Sequence, residues 1–536
     1  MTSLASYRKK SSFFLTNPIQ SISSCMGRCY YDLILKINPF FIHTLYFISV
    51  SLLGFGILEV LKPRTDQPKP RNIDLLFTSV SAATVSSMST VEMEVFSNEQ
   101  LIVITILMFI GGEVFTSMVG LHLKRFNTTK TWKNDEKNMD PVEKDPVSSL
   151  LPTSYLDDVV IVSDLSQNNG DTNSNNKSSS LEYDSIQFLG YVLLGYFLTI
   201  QILGFSFVMI YLTNVSTARN VLKNKGIKSS TFAVFTVVSS FASCGFIPTN
   251  ENMIVFKENS GLLLILIPQL LLGNTLFPPC LRFLIWVLGK IKVLKFKSKY
   301  LLQNTGEIGY FHLLPSSHSR SLVGTVSGFL LIGFVFFSAM EWNSGGFKGL
   351  SAYQKVVGGV FESTNARHAG ETVVDLSTVA PAVLVFFVVM MYLPPYTSFL
   401  PLFKNNKEQI PPKPKEVLKE KWRKRAIQDL IFSPLSYLAI FIIAICITER
   451  RSLQQDPLNF SVLNITLEVV SAYGNVGFTT GYSCDRQIRA DSSCVAKSYG
   501  FAGKWSDGSK VILIIVMFFG RLKQFSMAGG RAWKLL

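Results

Sequence analysis

Charged residues are scarce in this chain of 536 residues, because Asp, Glu, Lys and Arg together make up 16% of it. A soluble globular protein carries about 25%. Hydrophobic residues make up 48%, and the mean hydropathy is +0.30. The composition excludes an ordinary soluble domain and indicates an integral membrane protein with several spans. No Walker-type phosphate loop and no H-E-x-x-H pair occurs, so the sequence predicts no enzyme and no cofactor.

Cysteine is also sparse, and the seven cysteines do not pair evenly. Only Cys484 and Cys494 share one predicted outer loop, which suggests a disulfide between them. No cleavable signal peptide is visible, because lysine, arginine and serine are mixed through the first 41 residues. We expect the first spanning helix to act as the targeting signal.

The charge that is present is mostly positive, with 51 Lys and Arg against 36 Asp and Glu. The basic residues flank apolar runs and form no single stripe, which favours cytoplasmic flanks over a nucleic-acid surface. The densest cluster, in residues 404–425, predicts that both termini are cytoplasmic. Four cationic residues would then lie on the outer side of the membrane, although basic residues are more frequent on the cytoplasmic side. They are Lys62, Arg64, Lys69 and Arg71.

Four polar runs of small residues interrupt the apolar segments at matching positions. They are SAATVSSMSTVEMEVFS (81–97), FASCGFIPTNENM (241–253), NARHAGETVVDLS (365–377) and SAYGNVGFTTGYS (471–483). Irregular backbone inside a bilayer must be buried in protein or line water, so we expect the four runs to converge on one pore. The predicted fold is an all-α integral membrane protein with four membrane–pore–membrane repeats, hence eight spanning helices and four re-entrant pore helices around a central pore.

The predicted boundaries follow the apolar runs and the polar stretches between them. They are a cytoplasmic N-terminus (1–41), repeat A (42–123), a disordered cytoplasmic linker (124–185), repeat B (186–300), repeat C with its preceding connector (301–402), a basic cytoplasmic linker (403–426) and repeat D (427–536). The linker is rich in Asn, Ser, Asp and Lys and cannot bury enough apolar surface to fold alone. Continuous second spans are predicted over residues 100–121 in repeat A and 260–288 in repeat B.

One residue of each polar run occupies a corresponding place, and together these form the predicted ion selectivity filter: Ser87, Gly245, Gly370 and Gly477. Glycine allows the backbone angles that line successive carbonyls along an axis. Serine has a steric cost in left-handed backbone, so we expect an asymmetric filter. The carbonyls here and at the preceding residues would replace part of a cation's hydration shell. Those flanking residues are Ser86, Cys244, Ala369 and Val476.

Charged residues near the predicted pore have two interpretations each. The apolar run after Lys510 places Arg521 about 15 Å along the last helix, where a charge is usually functional. Arg521 and Lys523 are therefore candidates for a pore barrier, and an early stop-transfer charge is the alternative. Three acidic residues, Glu92, Glu94 and Asp375, would concentrate cations at an outer mouth, unless they are solvated or ion-paired in their loops.

The repeats resemble the plant HKT-type transporters of the Trk/Ktr/HKT superfamily, in the subgroup with serine at the first filter position. The segments that carry the resemblance are TVSSMSTVEMEVFS, SCGFIPTNENM, RHAGETVVDLS, MMYLPPYTSFLP and SAYGNVGFTTGYSC. The resemblance implies a monovalent-cation permease that often assembles as a homodimer with one pore in each subunit. It also implies that Ser87 confers sodium selectivity and that Arg521 or Lys523 lies below the filter.

The predicted function is therefore passive, electrogenic sodium permeation across the plasma membrane, with Na⁺ held at Ser87, Gly245, Gly370 and Gly477. The expected partners are sodium ions, the lipid bilayer and a second copy of the chain, with no nucleic acid. A potassium transporter or a sodium–potassium symporter on the same fold is the first alternative. A membrane receptor or scaffold that transports nothing is the second.

Overall fold

The computed structural model describes residues 39–64, 70–122, 171–397, 434–488 and 494–526. Three predicted regions lie wholly or mostly outside this part of the chain: the cytoplasmic N-terminus, the disordered linker as far as residue 170, and the basic linker 403–426.

The described chain is mainly α-helical. Its helices, in chain order, are α1 Pro39–Val60, α2 Asn72–Ala83, α3 Asn98–Gly111, α4 Glu113–His122, α5 Asp171–Asn214, α6 Ser216–Asn224, α7 Ser229–Ala242, α8 Ser260–Gly273, α9 Phe277–Leu288, α10 Lys295–Gln303, α11 Thr305–Ile308, α12 Ser316–Glu341, α13 Ala352–Asn365, α14 Pro381–Tyr392, α15 Pro434–Thr448, α16 Arg450–Gln455, α17 Val462–Gly474 and α18 Asp507–Ser526.

Three of these helices are long and apolar enough to cross a bilayer: α1, α12 and residues Tyr183–Asn214 of α5. The pairs α3 with α4 and α8 with α9 meet the same criterion when each pair is taken as one bent span, which gives up to 5 spans in the described chain. A bilayer of about 30 Å requires about 20 apolar residues. The prediction of an all-α, membrane-embedded protein is confirmed in this coarse form.

The second spans of repeats A and B are broken, whereas the sequence predicts each as one helix. The break in the first lies at Gly112 and the break in the second at residues 274–276. Glycine lowers helix propensity at the first break. At the second, Pro278 and Pro279 follow closely, and proline supplies no N–H for a helix continuing from α8.

Helix α5 begins at Asp171, so residues 171–185 of the predicted disordered linker are helical. This stretch contains neither proline nor glycine. Adding residues to an existing helix avoids the cost of nucleation, so the apolar part of α5 extends the helix into polar sequence. The composition of residues 171–185 predicts disorder because composition takes no account of the apolar helix that follows directly in the sequence.

The chain divides into two compact units. The first comprises Met1–Glu113, Gln201–Leu276 and Ser321–Leu536, and the second comprises Val114–Ile200 and Phe277–Arg320. All four polar runs and both large clusters of buried apolar side chains belong to the first unit. In the second unit, α9 packs against α10, and the Arg282 guanidinium donates to the carbonyls of Leu314 and Leu302 at 3.0 and 3.3 Å.

Four short, mostly buried helices of the first unit, α2, α7, α13 and α17, lead into the four polar runs. Local sequence starts two of them: Ser351 and Gln354 form a capping box at α13, and the Ser461 hydroxyl accepts from the Asn464 N–H at α17. Helix α2 packs against α1 and α3 and also against α18, so the first and last parts of the unit are in contact.

Candidate ion pore

The residues that follow the four short helices line one cavity. We name the segments loop A (84–92), loop B (243–253), loop C (366–375) and loop D (475–483). One cavity of about 290 Å³, which we name the larger cavity, is lined by all four predicted filter residues: Ser87, Gly245, Gly370 and Gly477. Residues separated by nearly 400 positions in sequence are thus neighbours in space.

The loops approach one another so closely that three of the four positions have no room for a side chain. A Cβ at Gly245 would overlap the Ala369 carbonyl oxygen, and one at Gly370 would lie 2.6 Å from the Val476 carbonyl oxygen. A Cβ at Gly477 would overlap the Cβ of Ser87. Each clash is with the next loop, so the four loops form a ring, and glycine is required by close approach as well as by its backbone angles.

Ser87 stands in this ring with left-handed backbone, at φ +53°. The three glycines have φ values of +88°, +71° and +104°, at Gly245, Gly370 and Gly477. Left-handed backbone costs a non-glycine residue about 1–2 kcal/mol. The Ser87 side chain also lies between loops B and D, with its Oγ 3.3 Å from where a Cβ of Gly245 would be and its Cβ 2.2 Å from where a Cβ of Gly477 would be. The predicted asymmetry therefore has a steric basis.

The short helices hold the loops through side-chain acceptors. The Gly245 N–H donates to Ser239 Oγ at 3.0 Å, and the Gly477 N–H donates to Ser471 Oγ at 2.9 Å. In loop C the corresponding acceptor is Asn365 Oδ1, which receives the N–H of Glu371 at 3.1 Å. These bonds fix the backbone beside three filter positions.

Two buried glutamates support the loops, and sequence reasoning missed both. Glu362 of α13 accepts from the Thr372 hydroxyl at 3.0 Å and from the Val373 N–H at 3.1 Å. Glu468 of α17 accepts from the Thr479 hydroxyl. Both glutamates are 0% exposed. An acidic residue inside a short helix between two apolar segments was the available signal, because such a residue is rare in membrane-embedded sequence unless it has a partner.

Hydrogen bonds also join neighbouring loops. Asn475 Nδ2 donates to Ser86 Oγ at 2.6 Å, which links loops D and A. The Thr372 carbonyl accepts from the Met253 N–H at 3.1 Å, which links loops C and B. The geometry of the ring is therefore fixed by contacts between neighbouring loops as well as within each loop.

The predicted outer-mouth acids differ in their surroundings. Glu94 is paired with Lys225 at 2.6 Å, and Lys225 also contacts Glu251 at 2.6 Å. Burial lowers the pKa of Lys225, but hydrogen bonds and the two carboxylates raise it more, so its pKa lies above its ordinary value. Glu92 accepts from Asn250 at 3.1 Å. Of the three predicted acids, only Asp375 is exposed and lines the larger cavity.

Arg367 and His368, beside Gly370, are buried and bonded to protein groups. The Arg367 guanidinium donates to the Pro394 carbonyl at 2.5 Å and lies 4.8 Å from the Phe329 ring centroid. His368 Nε2 is 2.8 Å from the Thr275 hydroxyl. These contacts fit a role in bracing loop C.

Arg521 lines a second cavity of about 20 Å³, which we name the smaller cavity. Val85, Asn274 and Asn475 also line it. The Arg521 side chain is 2% exposed and donates to the Gly111 carbonyl. Glu113 lines the same cavity and interacts electrostatically with Arg521. Lys523, in contrast, lies over the Tyr473 ring at 4.2 Å and is not among the lining residues.

Three glycines that sequence reasoning missed pack the longer helices onto the ends of the short ones. A Cβ at Gly111, Gly273 or Gly520 would overlap the carbonyl oxygen of Ala83, Phe241 or Tyr473, respectively. Each of these carbonyls stands four residues before a filter position. The residues after the three glycines, Gly112, Asn274 and Arg521, therefore occupy equivalent positions in the sequence, and Asn274 and Arg521 line the smaller cavity described above. The overlooked sequence signal was a glycine directly before each of Gly112, Asn274 and Arg521.

Cys484 and Cys494 form a disulfide with a Cα–Cα distance of 6.0 Å. Tyr482 precedes the disulfide-bonded segment and Lys497 follows it, and these two residues pair in a short antiparallel bridge. The disulfide thus closes the segment that follows loop D.

The chemistry of the ring suits a dehydrated monovalent cation. The ligands that it offers to an ion are carbonyl and hydroxyl oxygens, which can replace water around such an ion. The C-terminal ends of α2, α7, α13 and α17 precede the ring, and this end of a helix carries partial negative charge. Among the described residues, no group of three or more His, Cys, Asp or Glu side chains is placed to hold a metal ion.

Comparison with known proteins gives the same class. A sequence model of the TrkH family, described as a cation transport protein, matches residues 171–535. The chain is 48% identical over 509 residues to "Cation transporter HKT1;3" of Oryza sativa subsp. japonica, which covers 94% of this chain and 93% of the relative. It is 49% identical over 485 residues to "Sodium transporter HKT1" of Arabidopsis thaliana, which covers 89% and 91%.

The crystal structure of the potassium transporter TrkH from Vibrio parahaemolyticus has a TM-score of 0.50 at 13% identity, covering 91% of this chain and 84% of that chain. This likeness concerns the fold alone. The family matches extend over most of the chain. The match to the rice relative includes all four loops, and the match to the family model includes loops B, C and D. The chain therefore belongs to the TrkH family of cation transport proteins and is a membrane-embedded cation transporter.

Proposed function

We propose that this transporter is selective for sodium and conducts it passively through the ring of loops A to D. One observation carries the proposal: Ser87 stands in left-handed backbone where the other three loops have glycine. Its hydroxymethyl group narrows one quarter of the ring and supplies an additional oxygen. Both effects favour the smaller of the two common monovalent cations, because a smaller ion needs closer ligands.

The architecture that we propose around this ring has four membrane–pore–membrane repeats with eight spanning and four re-entrant helices. The four short helices and the four glycine or serine positions support this count. We further propose the repeat boundaries given above, a plasma-membrane location with both termini in the cytoplasm, and a homodimer with one pore in each chain. The disulfide at Cys484 supports placing the larger cavity outside, because disulfides persist in oxidising compartments.

We assign the barrier below the filter to Arg521 in preference to Lys523. Arg521 lines the smaller cavity, whereas Lys523 stacks on an aromatic ring. At the outer mouth, Asp375 is the acid best placed to attract cations, because it alone of the three predicted acids is exposed and lines the larger cavity.

The test of sodium selectivity is the variant Ser87→Gly. We expect the permeability ratio of potassium to sodium to rise about tenfold, which corresponds to ~1.4 kcal/mol, because glycine relieves the left-handed strain and widens the ring. Whole-cell reversal potentials, measured while external sodium and potassium are varied independently, give the ratio. Ser89→Gly is the matched control, because Ser89 lines the same cavity outside the ring.

Two results would contradict the proposal at different points. Reversal potentials of the unaltered protein that follow potassium as strongly as sodium would favour the potassium transporter or symporter. An unchanged ratio in Ser87→Gly, with sodium preference intact in the unaltered protein, would remove Ser87 from the explanation and leave selectivity to the carbonyls.

A further inference from the structure

The second compact unit carries a short stretch that is both strongly basic and strongly apolar at its surface. Residues 283–299, here the basic segment, read FLIWVLGKIKVLKFKSK and contain no acidic residue. The segment runs from within α9, through a 3₁₀ turn at Lys292–Leu294, into α10. Its five lysines are Lys290, Lys292, Lys295, Lys297 and Lys299.

Large apolar side chains of the basic segment are exposed. Phe283 is 63% exposed, Trp286 50%, Val293 83% and Phe296 76%. Exposed apolar surface that is contiguous and bordered by charge marks an interaction site. Since α8 and α9 together meet the criterion for a membrane span, this segment lies at the end of membrane-embedded sequence.

The exposed side chains alternate in character over residues 290–297. Ile291 follows Lys290, Val293 follows Lys292, and Phe296 stands between Lys295 and Lys297. A partner that covers both kinds of side chain must present hydrocarbon and negative charge within a few ångströms. The headgroup boundary of an anionic bilayer has this composition, and Trp, Phe and Lys are the residues typical of it.

The basic segment is held in place and is not a loose tail. Ile285 and Ser298 are buried at 0% and 1%, and a Cβ at Gly289 would lie 2.9 Å from the Cβ of Ser298. The start of α9 is tied by the Arg282 bonds to two carbonyls. Because the backbone is fixed, a ligand that binds the lysines does not also have to order the backbone of the segment.

Most of its positive charge is uncompensated. Lys297 pairs with Asp184 at 3.2 Å. In the described ranges no carboxylate lies within 4.0 Å of the other four lysines, which are exposed. Lys290 rests over the Trp286 ring at 4.1 Å, which leaves its charge available to an anion.

We propose that the basic segment is a binding site for anionic phospholipid headgroups, with Lys290, Lys292, Lys295 and Lys299 contacting phosphate and Phe283, Trp286 and Phe296 inserted among the acyl chains. Clusters of four to eight basic residues beside a membrane helix bind acidic lipids, with a roughly additive gain from each lysine. The proposal rests on the membrane embedding of the chain and is independent of sodium selectivity.

The test measures binding of short-chain lipids to the purified full-length protein in neutral detergent. The probes are dioctanoyl phosphatidylinositol bisphosphate, dioctanoyl phosphatidylserine and dioctanoyl phosphatidylcholine. We expect saturable binding of the two anionic lipids and none of phosphatidylcholine. Replacing the four exposed lysines by glutamine should weaken anionic binding at least about a hundredfold, since each lysine near a membrane surface contributes a several-fold factor.

The matched control replaces four exposed cations elsewhere by glutamine: Lys223, Lys228, Lys348 and Arg450. It changes the net charge equally, so equal loss in both variants would overturn the proposal. An unchanged melting temperature of the four-lysine variant establishes that it is folded, and unchanged lipid binding in that folded variant would also overturn the proposal.

A second variant separates a lipid from a soluble anion. Trp286→Ser should weaken binding of the dioctanoyl lipids while leaving binding of free inositol trisphosphate unaffected. If inositol trisphosphate binds as tightly as the lipid, and Trp286→Ser changes neither, the site binds a soluble phosphate and the lipid proposal is wrong.

Discussion

At the scale of single residues, the proposed pore depends on whether each of four positions carries a side chain. Three glycines leave room for the carbonyl or Cβ atoms of the next loop, and Ser87 fills the space that a glycine would leave. A larger residue at Gly245 or Gly370 would have to move the backbone of the adjacent loop, and a larger residue at Gly477 would have to displace Ser87. Ser87 is the one position of the ring where substitution by a smaller residue is possible.

Arg521 is the residue that we propose as the barrier to a cation below the ring. We predict that Arg521→Gln raises sodium current about tenfold and reduces rectification. A change of ~1.4 kcal/mol in the barrier is enough, and it lies within the range of a single charge interaction in a partly buried site. Whole-cell currents normalised to surface protein measure the effect.

Two variants control for structure. Arg521→Lys keeps the charge and should preserve a small current, while Lys523→Gln should have the weaker effect because Lys523 does not line the smaller cavity. Currents in Arg521→Gln equal to those of the unaltered protein, at equal surface expression, would favour the stop-transfer interpretation of this charge.

At the scale of elements, the longer helices meet the short ones through backbone contacts. Gly111, Gly273 and Gly520 each press against a carbonyl at the end of α2, α7 or α17. The first two stand at the last residue of α3 and α8, directly before the breaks in the predicted spans. Close packing and helix breakage therefore occur together just below the ring.

We predict that Gly273→Ala destabilises the protein by about 1–3 kcal/mol, because a methyl group would overlap the Phe241 carbonyl. The melting temperature in detergent should fall accordingly. Gly328→Ala is the matched control: Gly328 lies within α12 with no atom within 4 Å of an added Cβ. That control should be neutral or slightly stabilising, since alanine favours a helix. Equal melting temperatures for the two variants would contradict the packing argument.

At the scale of the whole molecule, a buried ion pair joins the first short helix to the last long one. Lys510 Nζ of α18 lies 2.7 Å from Asp74 of α2, and their side chains are 1% and 9% exposed. Arg71 adds contacts of 3.0 Å to both Asp74 and Asp507. Residues 436 positions apart are connected in this way, which joins the first and last parts of the first unit's sequence.

We predict that Lys510→Met lowers the free energy of unfolding by about 1.5–3 kcal/mol, because the buried Asp74 carboxylate loses its buried cationic partner and keeps only the exposed Arg71. The double variant Asp74→Asn, Lys510→Met should recover part of this loss, since no incompletely paired carboxylate then remains. Lys348→Met, at an exposed site, is the control. Chemical denaturation in detergent measures all three, and a double variant no more stable than Lys510→Met would contradict the coupling.

The sequence by itself determined the class of this protein and selected four residues that line one cavity in the structure. Apolar runs of bilayer length, four polar interruptions and a glycine or serine in each are local features, and local spacing is sufficient to find them. The four positions Ser87, Gly245, Gly370 and Gly477 could be selected before any contact was known, because repeats place equivalent residues at equivalent points.

Only the tertiary structure decided which side chains act on those positions. The Lys225 contact that pairs Glu94, the glutamates behind loops C and D, the glycine contacts at the helix breaks and the Arg521 bond to Gly111 join parts of the chain that are remote in sequence or separated by a loop. Hydrophobic periodicity reports which face of a segment is buried but not what it is buried against. Partners are chosen by packing across the whole unit, and no local pattern contains that information.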